Sequence, residues 1–205
     1  LIRGINIGMD FSSLLGTALN SLLTSGAASL LALIAAIPVA VLSVRHAGRA
    51  SGIMEKISYS SFALPGMVVA LALVFFGANF AQPLYQTMVL LLLGYLILFL
   101  PEVVGALRAA LLQLSPSMEH AARTFGRGPL RVLSTITLPI TWPGMAAGSV
   151  LVFLTAMKEL PVTLMLSPLG FRTLSTSVWS AVSEAFFAEA AACLLYTSDA
   201  ADDTP

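Results

Sequence analysis

Few residues in this chain could do chemistry, and their spacing excludes most reactions. His46 and His120 stand alone, without partners at metal-ligand spacing, so no metal site is expected. Cys193 is the sole cysteine, which rules out a disulfide framework. No G-x-x-x-x-G-K-[ST] run is present to cradle ATP phosphates. The H-E-x-x-H and G-x-S-x-G patterns are also missing, and no apolar block holds paired carboxylates, so an intramembrane hydrolase has no nucleophile with a base. Two polar features remain. One is the Lys158-Glu159 pair just before Pro161. The other is a basic, glycine-punctuated stretch at 119–144, EHAARTFGRGPLRVLSTITLPITWPG. Its residue types suit docking rather than bond-making.

The medium around these residues follows from composition. The chain has 205 residues, of which 58% are hydrophobic and 10% charged. Its mean hydropathy is +0.92. A soluble domain carries about 25% charged residues. So little charge cannot coat a globular surface, and the expected solvent is a bilayer. The expected fold is an all-α membrane protein, a polytopic helical bundle with about five spans. Apolar blocks predict spans over 22–44, 62–80, 85–104 and 140–157, with a fifth beginning around 181–187. Pro38 falls inside the first span, Pro65 near the start of the second and Pro101 near the end of the third. These blocks hold no ionisable residue at mid-membrane, which argues against an ion-coupled secondary carrier. Glu102 reads as interfacial. Gly144 and Gly148 form a small-xxx-small pair suited to close helix contact.

Seven of the ten basic residues lie in two loops: Arg45, Arg49 and Lys56 in one, Arg108, Arg123, Arg127 and Arg131 in the other. Two spans separate these loops, so both fall on one side, and the positive-inside rule makes that side cytoplasmic. Within the second loop, Ser115 and Pro116 suit a helix start and Gly126 a left-handed helix end. Met118, Ala121, Ala122 and Phe125 then form one apolar face. Glu119, His120, Arg123 and Thr124 form the polar face, with Glu119 and Arg123 in the favourable i, i+4 order. Periodicity alone leaves two readings of this short helix: one lying on lipid headgroups, or one docking on a protein.

Glu119, Ala121, Ala122 and Gly126, followed by Ile136, Leu138 and Pro139, resemble the EAA loop of type I ABC-transporter permeases. His120 departs from the simplest form of the motif by giving Glu-His-Ala-Ala. The resemblance implies that the helix inserts into a groove of a cytoplasmic ATPase subunit and passes its closure to the membrane bundle. Glu119, Ala121, Ala122, Phe125, Gly126, Leu138 and Pro139 would then be the coupling residues. A second stretch, from Leu151 to Trp179, resembles the C-terminal half of bacterial iron(III) permeases, chiefly in Lys158-Glu159-Leu160-Pro161 and Gly170-Phe171. This implies a permease importing ferric iron by alternating access, with thiamine, polyamine or oxyanion import as the alternative on the same architecture.

The implied partners are ATPase subunits, a periplasmic solute-binding protein, the bilayer of a bacterial inner membrane and a second permease half in the full-length chain. No nucleic acid is expected. The chain itself would perform no catalysis and bind no cofactor, with ATP held by the partner subunit. Lys158, Glu159 and Pro161 form a candidate outer gate or pathway, set against a plainer reading as an interfacial ion pair closing a helix.

The organisation expected is a lead-in over 1–18, a permease domain over 19–192 containing the coupling loop 108–139, and a foreign tail over 193–205. The start at Leu1 reads as a fragment with its beginning and first half missing, and the last helix reads as truncated. The tail, CLLYTSDAADDTP, resembles a translated sequencing adapter, and without its aspartates the chain carries a basic excess.

Overall fold

A computed structural model describes residues 11–45 and 48–183. The expected tail at 193–205, most of the expected fifth span and residues 1–10 lie outside these residues. The described chain is helical, with no strand.

The first helix, α1 (Phe11–Arg45), begins eleven residues before the apolar block that announced it. Small residues along it serve packing. Ala18, Ser21, Ser25, Ala28, Ala32, Ala36 and Ala40 are all buried. They recur at helical spacing and form one inward stripe where neighbouring backbones can come close. Two buried hydroxyls of the helix are satisfied: Ser21 Oγ donates to the Thr17 carbonyl at 3.1 Å, and Ser29 Oγ crosses to the Ser149 carbonyl at 2.7 Å. The helix continues through Pro38 to Arg45.

The second expected span, 62–80, is occupied mainly by one helix, and a bent arm precedes it. Helix α2 (Arg49–Ser60) and a 3-10 turn (Ser61–Ala63) lead to α3 (Gly66–Asn79). The two arms meet at 108°. Pro65 is the cause, since a residue before proline is driven out of helical geometry, and Leu64 is extended at φ −98, ψ 124. With 14 residues, α3 is about 21 Å long, short of a ~30 Å hydrocarbon core.

Helix α4 (Met88–Gln113) is 26 residues long and runs on beyond the expected end at 104. Apolarity thins after Val104, but Ala106, Leu107, Ala109, Ala110, Leu111 and Leu112 are strong helix formers, so the helix does not stop. Pro101 and Glu102 therefore lie near its middle, and Arg108 belongs to the helix rather than to a loop.

After the loop helix α5 (Pro116–Thr124) come α6 (Pro129–Val132), a π-helical turn (Leu133–Thr137) and α7 (Leu138–Lys158). Together α6, the π turn and α7 form one apolar run from Pro129 to Lys158, longer than the expected 140–157. Two short helices follow, α8 (Pro161–Leu166) and α9 (Leu174–Ser183).

Helices α1, α4 and α7 pack together as the main body. Where α7 crosses α4, a Cβ on Gly144 would collide with Ala110, and one on Gly148 would sit 3.1 Å from Ala106 Cβ and 3.2 Å from Val103 Cα. Those two glycines make the close contact read from the sequence. Helix α8 wedges against α4: a Cβ on Gly94 would lie 2.8 Å from Leu166 and 2.9 Å from Val162. Beside it, Tyr95 Oη and Thr163 Oγ1 are 2.6 Å apart.

The C-terminal ends of α1 and α4 meet, because Arg45 Nη2 donates to the Leu114 carbonyl at 3.0 Å. With α1 and α4 running toward the same end, the chain returns between them through α2 and α3. Among the described residues three helices are long and apolar enough to cross a membrane, or four if the bent pair counts as one span.

Candidate docking site

The short helix α5 is built by signals close in sequence. Pro116 sits in its first turn, where its missing N–H costs nothing. Ser115 takes the cap position, but its hydroxyl lies 2.7 Å from Ser117 Oγ rather than on a backbone N–H. At the other end Gly126 has φ +77. The Gly126 N–H bonds to the Arg123 carbonyl at 3.0 Å and the Arg127 N–H to the Ala122 carbonyl at 3.3 Å. That pair of bonds is a Schellman closure, which needs a left-handed residue at this position. The expected helix end is therefore found.

The orientation of the helix differs from the expectation. Glu119 and Ala122 are the buried residues of α5. Met118 is 49% exposed and Phe125 87%, and Ala121 is exposed as well. Three residues of the apolar face read from periodicity, Met118, Ala121 and Phe125, are exposed, while Ala122 and the glutamate point in. Nor does Glu119 pair with Arg123. Arg45 Nε lies 3.1 Å from both of its carboxylate oxygens. Thr137 Oγ1 donates to Oε1 at 2.9 Å. The two charged side chains are only 11% and 9% exposed.

This arrangement ties three elements at one point. Arg45 ends α1, where a cation also complements the helix dipole. Glu119 belongs to α5, and Thr137 to the π turn that leads into α7. A π turn rotates the side chains after it relative to a regular helix, and such turns gather at functional sites. Leu138 packs on a buried cluster of Ala40, Leu107, Leu111 and Met145, while the adjacent Pro139 is exposed. Arg45 and Thr137 were not legible as site residues: Arg45 lies 74 residues from Glu119 in sequence, and read there only as a topology charge.

The pair at Lys158 and Glu159 separates. Lys158 ends α7 and is exposed. The Glu159 carboxylate turns to α8, where Oε1 accepts from the Val162 N–H at 3.3 Å. Its carbonyl accepts from Thr163 Oγ1 at 2.7 Å and Ser175 Oγ at 3.1 Å. Pro161 opens α8. Glu159 thus fastens the start of α8 rather than closing an ion pair with its neighbour. Glu102 lies mid-way along α4, where Thr155 Oγ1 of α7 donates to Oε2 at 3.3 Å. Among the described residues no cluster of three metal-ligating side chains occurs.

Comparison with known proteins gives this geometry a context. The chain is 40% identical to the Fe(3+)-transport system permease protein FbpB 2 of Haemophilus influenzae, over 88% of this chain and 36% of that protein. It is 26% identical to the molybdate/tungstate transport system permease protein WtpB of Pyrococcus abyssi, over 72% of this chain and 58% of that protein. A third relative, the putative 2-aminoethylphosphonate transport system permease protein PhnV of Salmonella typhimurium, is 24% identical over 94% of this chain and 74% of that protein. The chain spans about a third of the length of the first of these and more than half of the second. The family described as binding-protein-dependent transport system inner membrane component matches residues 10–198. With three long apolar helices, a buried-glutamate loop helix and that match over most of its length, the chain belongs to the binding-protein-dependent transport system inner membrane components.

Proposed function

We propose that this chain is part of the membrane-spanning permease of an ATP-driven importer, with α5 as the helix that docks on a separate ATPase subunit. The observation carrying this reading is the orientation of α5. Its carboxylate is spent on Arg45 and Thr137 inside the chain. Its apolar side is left over, with Met118 and Phe125 exposed and Leu130 nearby at 80% exposure. A helix fastened to the end of a bundle by Glu119 and Ala122, with Met118, Ala121 and Phe125 left exposed beside His120, Arg123 and Thr124, suits a protein groove. Glu119, Ala122 and Gly126 then set the pose of the helix, Ala121 and Phe125 touch the partner, and Leu138 and Pro139 carry the motion into α7.

On this reading the end bearing Arg45, Arg123, Arg127 and Arg131 is cytoplasmic, in accord with the positive-inside rule. ATP is bound and hydrolysed by the partner. A soluble binding protein delivers the solute to the opposite face, and the permease sits in a bacterial inner membrane as a multi-pass protein. Ferric iron is the proposed solute, supported by the 40% identical relative. The molybdate/tungstate relative supports an oxyanion as the second reading.

Reconstitution decides between them. The full-length permease, its ATPase and its binding protein in liposomes should take up ferric iron on addition of ATP. Uptake of molybdate with no uptake of iron would reverse the choice, and transport driven by an ion gradient without the ATPase would reject the importer itself.

A further inference from the structure

Helix α5 and the turn after it present charge of one sign. Between Leu114 and Pro139 the only carboxylate is Glu119, against Arg123, Arg127 and Arg131. Glu119 is turned inward and held by Arg45, so its charge is already matched before any partner arrives. His120, Arg123, Arg127 and Arg131 are all exposed. Two large apolar side chains stand among them, Phe125 at 87% and Leu130 at 80% exposure.

Local structure holds these cations in place. Helices α5 and α6 pack together. Thr135, in the π turn, joins two of the arginines: its Oγ1 accepts from Arg127 Nη1 at 3.2 Å and donates to the Arg131 carbonyl at 2.5 Å. The Arg123 carbonyl accepts from the Gly126 N–H at 3.0 Å, so the closure that ends α5 also fixes the backbone from which Arg123 projects. A helix lying on lipid presents a continuous apolar face bordered by cations. Here that face is divided, because Ala122 is buried in the bundle. The most exposed apolar groups, Phe125 and Leu130, follow α5 as two separate knobs, which suit pockets in a protein better than a lipid surface.

We propose that the groove receiving α5 has apolar pockets for Phe125 and Leu130 and an acidic rim that meets Arg123, Arg127 and Arg131. The occupant is the ATPase subunit of the docking reading above, on which this inference rests. A basic surface facing these arginines would be repelled, and a neutral one would leave three cations desolvated without partners. Guanidinium forks bind carboxylates through paired hydrogen bonds, so aspartate and glutamate side chains are the groups that fit. Because the arginines lie at an exposed rim, they act mainly on the rate of encounter and on its salt dependence.

The test uses the full-length permease in nanodiscs of phosphatidylcholine, which carries no net charge, and its purified ATPase subunit. Binding is followed by biolayer interferometry from about 0.05 to 0.5 M salt, across which the screening length shortens about threefold. Affinity of the parent should fall as salt rises. Arg123→Gln, Arg127→Gln and Arg131→Gln combined should weaken binding at the lowest salt by about tenfold, the scale of three exposed charge pairs, and should flatten the salt dependence. Lysine at the same three positions should keep most of the affinity and the slope. Arg172→Gln, which removes an exposed cation beside Asn20 at the other end of α1, should change neither. Phe125→Ala should weaken binding at every salt concentration and keep the slope, which tests the docking reading separately. Binding weakened by Phe125→Ala but unchanged in the triple glutamine variant would overturn the acidic rim and leave the docking helix standing. Arginine effects that appear only when the nanodiscs contain anionic lipid would also overturn it, because the cations would then serve the membrane. Binding unchanged by either set of substitutions would overturn the docking reading and this inference with it.

Discussion

Replacing Arg45 with methionine removes the cation from the Arg45–Glu119 pair while keeping much of its volume. The Glu119 carboxylate, in a side chain 9% exposed, would then keep only Thr137 as a donor. At about 4 Å and an effective dielectric near 20, a charge pair is worth about 4 kcal/mol. Breaking a buried pair from one side costs about 3–5 kcal/mol, because the remaining charge is left uncompensated. Arg45→Met also removes the donor to the Leu114 carbonyl. Opening of α5 away from the bundle should therefore become easier by about 3 kcal/mol, or roughly a hundredfold in the local opening equilibrium. Hydrogen exchange at the amides of Gly126 and Arg127, which close the helix, reads that equilibrium directly. Glu119→Gln added to Arg45→Met should restore much of the protection, since the stranded charge is gone. Arg123→Met, at an exposed position, should change exchange by less than about 0.5 kcal/mol. Unchanged exchange in Arg45→Met, or an equal effect from Arg123→Met, would refute the claim that this tie holds the helix.

Gly126→Val forces a branched residue into φ +77, at about 1–2 kcal/mol for a left-handed conformation. Nothing lies within 4 Å of the added Cβ, so the cost is backbone strain alone. ATPase co-purification should fall while the amount of permease in the membrane stays constant, and Gly126→Asn should be milder. Gly144→Val drives a branched side chain into Ala110 and the Ala106 carbonyl. It should separate α4 from α7 and cost about 1–3 kcal/mol, seen as loss of folded protein in a thermal extraction assay, whereas Gly16→Val, with open space around it, should be near neutral. Ser167→Cys, just after α8, should label with an impermeant thiol reagent from the side opposite α5; labelling only after the inner membrane is disrupted would reverse the proposed orientation.

The parts of this fold that were legible from sequence are those whose cause is local. Ser115-Pro116 and Gly126 bracket α5 to within a residue or two, because capping chemistry acts over one turn. Gly144 and Gly148 marked the α7–α4 contact by their spacing. Other features depend on what a helix meets at a distance. Apolar content marked where α4 enters hydrocarbon, but helix propensity carries it to Gln113, and that extension moves Glu102 from an edge to the middle. Pro65 was visible, yet the bend it makes depends on α3 turning to pack against α8 and α4. The inward turn of Glu119 was hidden most completely. Helical periodicity ranks faces by apolarity, and it has no means of knowing that Arg45 waits on another helix. A buried ion pair can outweigh an alanine and methionine face when both of its partners are also hydrogen-bonded.

The most direct test of the account is a cross-link at α5. Phe125 is 87% exposed on the side left free by the Arg45–Glu119 tie. With a photoreactive phenylalanine analogue at position 125 in the full-length permease, irradiation in native membranes should join it to the ATPase subunit. The same analogue at the buried position Leu107 should give no such product. Cross-linking of position 125 to lipid, with none to the ATPase in membranes that transport, would contradict the assignment of α5 as the docking helix.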